Sequence, residues 1–231
     1  MNENLPFLVI GHRGCAGVEP ENTLKGVEAA LDAGCKMIEI DVHLVESELV
    51  VIHDFSVNRT TNGRGNVSAI DLSYLRSLDA GNGEKVPFLC EVLELCHGRA
   101  TVNVELKGDR TAGAVVALLL LRGGADDVVV SSFDWEMLRR FKFADTDVPI
   151  AVLVDDSALV DKAFEVANDL NAIAVNPSLK ILTNELVSRV HEAGMKVNVF
   201  TVKSREDAQK VIDSGADACF ADDPSMVLEM L

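Results

Sequence analysis

The sequence predicts one α/β domain folded as a (β/α)8 barrel, and three observations lead to this prediction. Short runs rich in β-branched residues alternate with longer segments of helical periodicity, which is typical of a parallel sheet. Eight such strand-helix units follow one another at intervals of roughly 20 to 30 residues. The chain has 231 residues, within the range of roughly 200 to 250 that one such barrel occupies. We therefore expect residues 1–231 to form a single barrel domain.

An open doubly wound sheet is the alternative. It is disfavoured because His12, Arg13 and Gly14 follow the first strand, where a dinucleotide-binding sheet would carry a glycine-rich turn.

The strands are assigned from the β-branched runs. They are 7–11, 37–41, 101–106, 128–131, 150–154, 172–175, 196–200 and 218–221. The second unit is longer than the others, because residues 49–54 form an extra, returning strand that is followed by a short loop insertion.

The helices are assigned from apolar periodicity together with capping and stop residues. They are 22–33, 87–96, 112–121, one opened by Asp134, 158–168, 183–193, 205–214 and a short one after Pro224. Asn22 is the predicted N-cap of the first helix, and Gly34 is its stop signal.

Composition excludes several functional classes. The chain carries 21 basic and 37 acidic residues, a net charge of -16, which disfavours binding to nucleic acid or to an anionic membrane surface. The longest apolar run, residues 114–121, is far shorter than the roughly 20 residues that span a bilayer, and residues 1–6 do not resemble a signal peptide. The five cysteines are scattered, so we expect reduced thiols and a cytoplasmic protein without membrane anchoring.

Acidic side chains end two neighbouring barrel strands. Glu39 and Asp41 are two residues apart in a strand, so both project to one face, and Glu105 ends the next strand in the same way. Buried like charges repel, and a bound cation removes that cost. Oxygen ligands favour Mg²⁺ or Ca²⁺ over zinc. Pairing of these acids with Arg or Lys inside the barrel is the alternative.

Four further polar residues lie at strand ends, where the active sites of barrels are built. Arg13 and Lys107 would place positive charge beside the carboxylates, which indicates an anion such as a phosphate. His12 and His53 would serve as general acid and base for cleavage of a phosphodiester, since imidazole exchanges protons near neutral pH. Taken singly, either histidine would more often be a structural hydrogen-bonding residue.

An ordered series of short motifs carries a family resemblance. The motifs are His12-Arg13-Gly14, Pro20-Glu21-Asn22-Thr23, Glu39 with Asp41, His53-Asp54, Thr61 with Gly63 and Gly65, Glu105-Leu106-Lys107, Ser131-Ser132-Phe133 and Asp222-Asp223-Pro224. Over nearly the whole chain this series resembles the glycerophosphodiester phosphodiesterase family.

The resemblance implies a barrel that hydrolyses glycerophosphodiesters to glycerol 3-phosphate and an alcohol with Mg²⁺ or Ca²⁺. It aligns the family's acid/base pair with His12 and His53, its metal ligands with Glu39, Asp41 and Glu105, and its phosphate contacts with Arg13 and Lys107. Two alternatives stay open: a lipid-directed enzyme of the lysophospholipase D kind, and a barrel that binds phosphodiesters without turnover.

Overall fold

The strands form a closed barrel in the computed structural model, which describes residues 7–144 and 147–231. The strands are β1 (Leu8–Gly11), β2 (Met37–Val45), β3 (Glu48–Val51), β4 (Thr101–Leu106), β5 (Val128–Ser132), β6 (Ile150–Val154), β7 (Ala174–Pro177), β8 (Lys196–Val202) and β9 (Ala218–Ala221). All except β3 pair in parallel, and β1 pairs with both β2 and β9, which closes the ring. The predicted barrel is confirmed, and the open-sheet alternative is wrong.

Helices alternate with the strands, and most of them cover the outside of this ring. They are α1 (Leu24–Asp32), α2 (Leu72–Ser77), α3 (Leu89–Cys96), α4 (Thr111–Arg122), α5 (Trp135–Phe143), α6 (Val160–Asp169), α7 (Asn184–Glu192), α8 (Arg205–Asp213) and α9 (Pro224–Leu228). No helix of the described residues is long and apolar enough to cross a membrane.

The alternation of side chains along each strand separates the core from the site. Ile38 and Ile40 of β2 are fully buried in the apolar layer between strands and helices, where Leu89 of α3 also lies. Glu39 and Asp41 point the other way, into the barrel, because successive strand residues face opposite sides. An apolar core and a polar interior therefore arise from one strand.

The second unit is lengthened by a small folded insertion. β3 runs antiparallel to the end of β2, with Val42 opposite Val51. The insertion has its own apolar cluster, in which Val50 of β3 and Leu75 of α2 are fully buried. α2 was not predicted, since only Leu75 of its six residues is buried and the segment has little helical periodicity. The predicted extra strand is thus confirmed, and the predicted loop after it contains a helix that packs with the strand in one apolar cluster.

Several predicted boundaries are corrected by the structure. The returning strand ends at Val51, so His53 and Asp54 lie beyond the ladder. The first helix begins at Leu24 and its N-cap is Thr23, whose hydroxyl accepts a hydrogen bond from the Gly26 N–H. Two strands are extended or moved: β2 continues to Val45, and the predicted strand 172–175 is instead Ala174–Pro177.

Candidate active site

Three buried carboxylates meet inside the barrel. Asp41 and Glu105 lie opposite each other in the β2–β4 pairing, and Glu39 is two residues before Asp41 on the same face. Each offers a carboxylate oxygen, and these oxygens all lie within 4.8 Å of one another. Within the described part of the chain, this is the only such group of acidic, histidine or cysteine side chains.

The loop after β1 holds two of these carboxylates from one side. The Arg13 backbone N–H donates to Glu39 Oε2 at 2.9 Å, and Arg13 Nε lies 3.5 Å from Asp41 Oδ2. The loop turns sharply at Gly14, which has φ of +82°, and a Cβ there would come within 2.5 Å of the backbone of Gly26 in α1. A side chain at Gly14 would therefore displace Arg13 from the acids.

Asn22 holds Asp41 through two further hydrogen bonds. Its Nδ2 donates to Asp41 Oδ2 at 2.9 Å, and its Oδ1 accepts from the Asp41 backbone N–H at 3.2 Å. Asn22 has φ of +57°, a left-handed conformation that asparagine tolerates better than most residues. The prediction that Asn22 caps α1 is wrong, because its side chain turns into the barrel and the cap passes to Thr23.

Lys107 lies against the same acids from the end of β4. Its Nζ is 2.6 Å from Glu105 Oε1 and 3.4 Å from Asp41 Oδ1. Burial alone would lower the pKa of Lys107, but Glu105 and Asp41 outweigh it and raise that pKa. The ammonium group is thus fixed at the carboxylate cluster.

The pKa values of the three carboxyl groups are shifted in different directions. Burial raises the pKa of Glu39 well above its ordinary value, and Asp41 and Glu105 add to the effect. Burial also raises the pKa of Glu105, to about 7. Burial acts the same way on Asp41, but Lys107 and Arg13 bring the pKa of that carboxyl below its ordinary value. The cluster therefore resists carrying three negative charges without a cation.

Each predicted histidine is held by a carboxylate. His12 Nδ1 lies 2.5 Å from Asp222 Oδ1, and His53 Nδ1 lies 2.7 Å from Asp54 Oδ1. An ionised carboxylate only accepts hydrogen bonds, so it favours the tautomer with its proton on Nδ1 and leaves Nε2 available. His12 Nε2 is 3.9 Å from Oε2 of Glu39, which is one of the three candidate metal ligands.

The returning strand brings His53 to this point. The Ile52 N–H donates to the Asp41 backbone oxygen at 3.0 Å, so the next residue emerges beside the end of the barrel. Burial lowers the pKa of His53, which favours the neutral ring at pH 7. Its partner Asp54 is in turn bound by Arg59, whose guanidinium holds the pKa of Asp54 far below its ordinary range.

One cavity of about 200 Å³ joins these groups. Both histidines, Arg13, Glu39 and Glu105 line it, together with Asn103, Ser131, Phe133, Leu153, Phe200, Thr201 and Phe220. Phe133 and Phe200 pack edge to face, with ring centroids 5.4 Å apart, and form part of its wall. The structure thus brings five of the seven predicted site residues to one cavity. Asp41 lies beside Glu39 and Glu105, and Lys107 contacts both Asp41 and Glu105.

Sequence reasoning missed four supporting residues. The closing motif contains Asp222 and Asp223 without separating their roles, whereas in the structure Asp223 caps α9 and Asp222 binds His12. Asn22 was given a different role. Arg59 and Glu21, which bind each other, were given none. The motif order signalled Glu21 and Asn22, but nothing in the sequence singled out Arg59.

Comparison with known proteins gives consistent results. Residues 12–226 match the model of the glycerophosphoryl diester phosphodiesterase family. A glycerophosphodiester phosphodiesterase of Caldanaerobacter subterraneus subsp. tengcongensis is 33% identical over 238 residues, with 97% of both chains covered.

Two solved structures superimpose on the barrel. The structure of an Oleispira antarctica phosphodiesterase in complex with the product sn-glycerol-3-phosphate has a TM-score of 0.88 and 30% identity, and covers 96% of this chain and 95% of that one. A putative glycerophosphoryl diester phosphodiesterase from Silicibacter pomeroyi has a TM-score of 0.88 and 26% identity, and covers 98% and 95% of the two chains.

Proposed function

The chain belongs to the glycerophosphoryl diester phosphodiesterase family, and from that premise we propose that it hydrolyses glycerophosphodiesters to glycerol 3-phosphate and an alcohol, with a divalent cation. One observation carries the proposal: three buried carboxylates lie within 4.8 Å of one another, at a cavity lined by two histidines.

Glu39, Asp41 and Glu105 are the proposed ligands of Mg²⁺ or Ca²⁺. Their fit to a hard cation rests on the donor atoms, which are all carboxylate oxygens, and on burial. Among the described residues, Glu39 Oε1 is buried without a hydrogen-bond partner, and such an oxygen is costly unless something binds it. A bound cation would supply positive charge to the phosphoryl oxygens and orient the diester.

Arg13 and Lys107 are the proposed phosphate contacts. Both hold their positive charge beside the carboxylates, where an anionic substrate would otherwise be repelled. Arg13 also binds Glu21 through Nη1 at 2.8 Å, which limits the orientations of the guanidinium. Fixed cations stabilise the charge that develops on phosphoryl oxygens without reorganising during the reaction.

His12 and His53 are the proposed acid/base pair. A phosphodiester needs a proton removed from the attacking group and a proton delivered to the leaving alkoxide. Each ring is oriented through Nδ1 by a carboxylate, so its Nε2 can exchange the proton. The lowered pKa of His53, caused by burial, supports a role for that ring in accepting a proton.

Two polar side chains that line the cavity, Asn103 and Ser131, favour binding of the glyceryl group in it. Asn103 and Ser131 are buried, and within the described chain Asn103 Oδ1 and Ser131 Oγ have no hydrogen-bond partner. Both atoms can bond to a hydroxyl group, and the aromatic rings of Phe133 and Phe200 form part of the wall of this cavity of about 200 Å³. A small polyol phosphate suits such a site.

Release of glycerol 3-phosphate from glycerophosphocholine and glycerophosphoethanolamine tests the proposal. We expect release that needs Mg²⁺ or Ca²⁺ and stops with a chelator. Release that persists in chelator would remove the cation from the mechanism. A parallel assay with lysolipid micelles separates this activity from a lysophospholipase D. Tight binding without release, seen by calorimetry, would instead indicate a non-catalytic barrel.

A further inference from the structure

Arg59 bridges two loops at the mouth of the barrel with four hydrogen bonds. Its Nε and Nη2 donate to the two oxygens of Asp54, both at 2.8 Å. Its Nη1 and Nη2 donate to the two oxygens of Glu21, at 2.7 and 2.9 Å. Glu21 belongs to the loop after β1, and Asp54 to the loop after β3. One guanidinium therefore fixes two carboxylates from separate parts of the chain.

This bridge determines how Asp54 meets His53. Within the described residues, the side chain of Asp54 bonds only to Arg59 and to His53 Nδ1. His53 in turn has Asp54 as its side-chain hydrogen-bond partner. Without Arg59, the Asp54 carboxylate would be held only by its bond to His53, so nothing outside this pair would fix the orientation of the His53 ring.

The other end of the bridge is anchored independently. Glu21 also binds Arg13, and Arg13 has further contacts with Asp41 and, through its backbone N–H, with Glu39. Arg13 therefore stays in place if Arg59 is removed. The loss of Arg59 should accordingly act on His53 and leave the phosphate contact intact.

A purely stabilising role explains this arrangement poorly. About half of the Arg59 side chain is exposed, and ion pairs at exposed positions contribute little to stability. The planar guanidinium instead holds the Asp54 and Glu21 carboxylates in fixed orientations.

We propose that Arg59 is a positioning residue that holds the Asp54 carboxylate against His53 and so aims His53 Nε2 at the reacting phosphodiester. The proposal rests on the proposed role of His53 in catalysis. It assigns to Arg59 no contact with the substrate.

The Arg59→Ala variant tests this, with Arg99→Ala as the matched control. Arg99 makes a similar two-pronged pair with Glu28, at 2.9 Å for each bond, and is similarly exposed, but it lies away from the site. We expect Arg59→Ala to lower kcat about 10- to 100-fold with KM near the wild-type value, because supporting groups of this kind typically have effects of that size. Arg99→Ala should keep the wild-type kcat.

Added guanidinium chloride at millimolar concentration provides the specific readout. It should restore part of the activity of Arg59→Ala by occupying the vacated site, and it should not raise the activity of His53→Ala. Arg59→Lys should be impaired to an intermediate degree, since one ammonium group cannot bind four oxygens in the same way.

Equal kcat values for Arg59→Ala and Arg99→Ala would overturn the proposal, and so would wild-type kcat in Arg59→Lys. A folded Arg59→Ala variant that guanidinium does not rescue would also overturn it. Failure of the proposed function is distinguishable, because the wild-type protein would then release no glycerol 3-phosphate. If the wild-type protein is active and only the role of His53 is wrong, His53→Ala retains full activity whatever Arg59 does.

Discussion

The substitution Asn22→Ala tests how the barrel holds its central carboxylate. Asn22 is buried, and it makes two hydrogen bonds with Asp41, one to a carboxylate oxygen and one from the backbone N–H. Alanine removes both bonds and leaves the Asp41 N–H and one Asp41 oxygen without that partner, in a place that water reaches poorly. The free energy of unfolding should therefore fall, and Asp41 should lose its fixed position as a proposed cation ligand.

The size of the loss follows from the two bonds. A hydrogen bond to a charged group contributes about 1.5 to 3 kcal/mol and a neutral one about 0.5 to 1.5, so the pair should account for about 2 to 4.5 kcal/mol. Alanine also tolerates the left-handed backbone less well than asparagine does. Asn82→Ala isolates that second effect, because Asn82 has φ of +53°, is exposed, and has no side-chain hydrogen bond within the described chain.

Urea unfolding in the presence of a chelator measures both variants without any contribution from bound cation. The free energy lost by Asn22→Ala should exceed that lost by Asn82→Ala by the amount assigned to the two bonds, with the slope against urea unchanged. Equal losses in the two variants would refute the reasoning, because they would mean that the contacts with Asp41 contribute nothing.

Three further predictions concern the proposed proton transfer, cation binding and binding of the glyceryl group. His12→Ala and His53→Ala should each lower kcat for glycerophosphodiester hydrolysis about 10²-fold or more, while His97→Ala at the exposed surface should not; unchanged rates in both of the first two would exclude their proposed roles. Burial raises the pKa of Glu105 to about 7 from its ordinary 4.5, so the metal-free protein should lose stability as pH rises from 4.5 to 7, and thermal melts should show this loss reversed by Mg²⁺ or Ca²⁺. The loss should be smaller in Glu105→Gln, where buried Glu39, whose pKa is also raised, remains. Ser131→Ala should raise KM for a glyceryl substrate more than for its deoxy analogue, measured by steady-state kinetics with both, and equal changes would place the hydroxyl elsewhere.

The barrel and its polar interior were predictable from local pattern. The alternation along residues 37–41 already separates Ile38 and Ile40 from Glu39 and Asp41, and a two-residue period has one physical meaning in a strand. The position of active sites at the carboxyl ends of barrel strands then gathers Glu105 and Lys107 to the same place. Regular elements and their inward faces thus followed from the sequence.

The supporting contacts were not predictable in this way. Asp222 and His12 are 210 residues apart, and their pairing depends on closure of the ring between β9 and β1. Asparagine is a common N-cap residue, and only the positive φ of Asn22 turns its side chain toward Asp41 instead. Arg59 is an arginine in an irregular segment, where no periodicity constrains which carboxylate it reaches. Local propensity describes one segment at a time, and these residues act between segments.

The order of the strands around the barrel determines which parts of the site could change independently between homologues. β9, β1, β2 and β4 are adjacent in the barrel and contribute Asp222, His12, the two acids of β2 and Glu105. The opposite arc, from β5 to β8, contributes Ser131, Leu153 and Phe200 to the cavity wall, and these side chains carry no charge. The proposed reacting groups and the uncharged cavity wall therefore belong to different arcs of the barrel, so exchanging β5 to β8 between homologues should alter how the glyceryl group is bound while the proposed chemistry is retained.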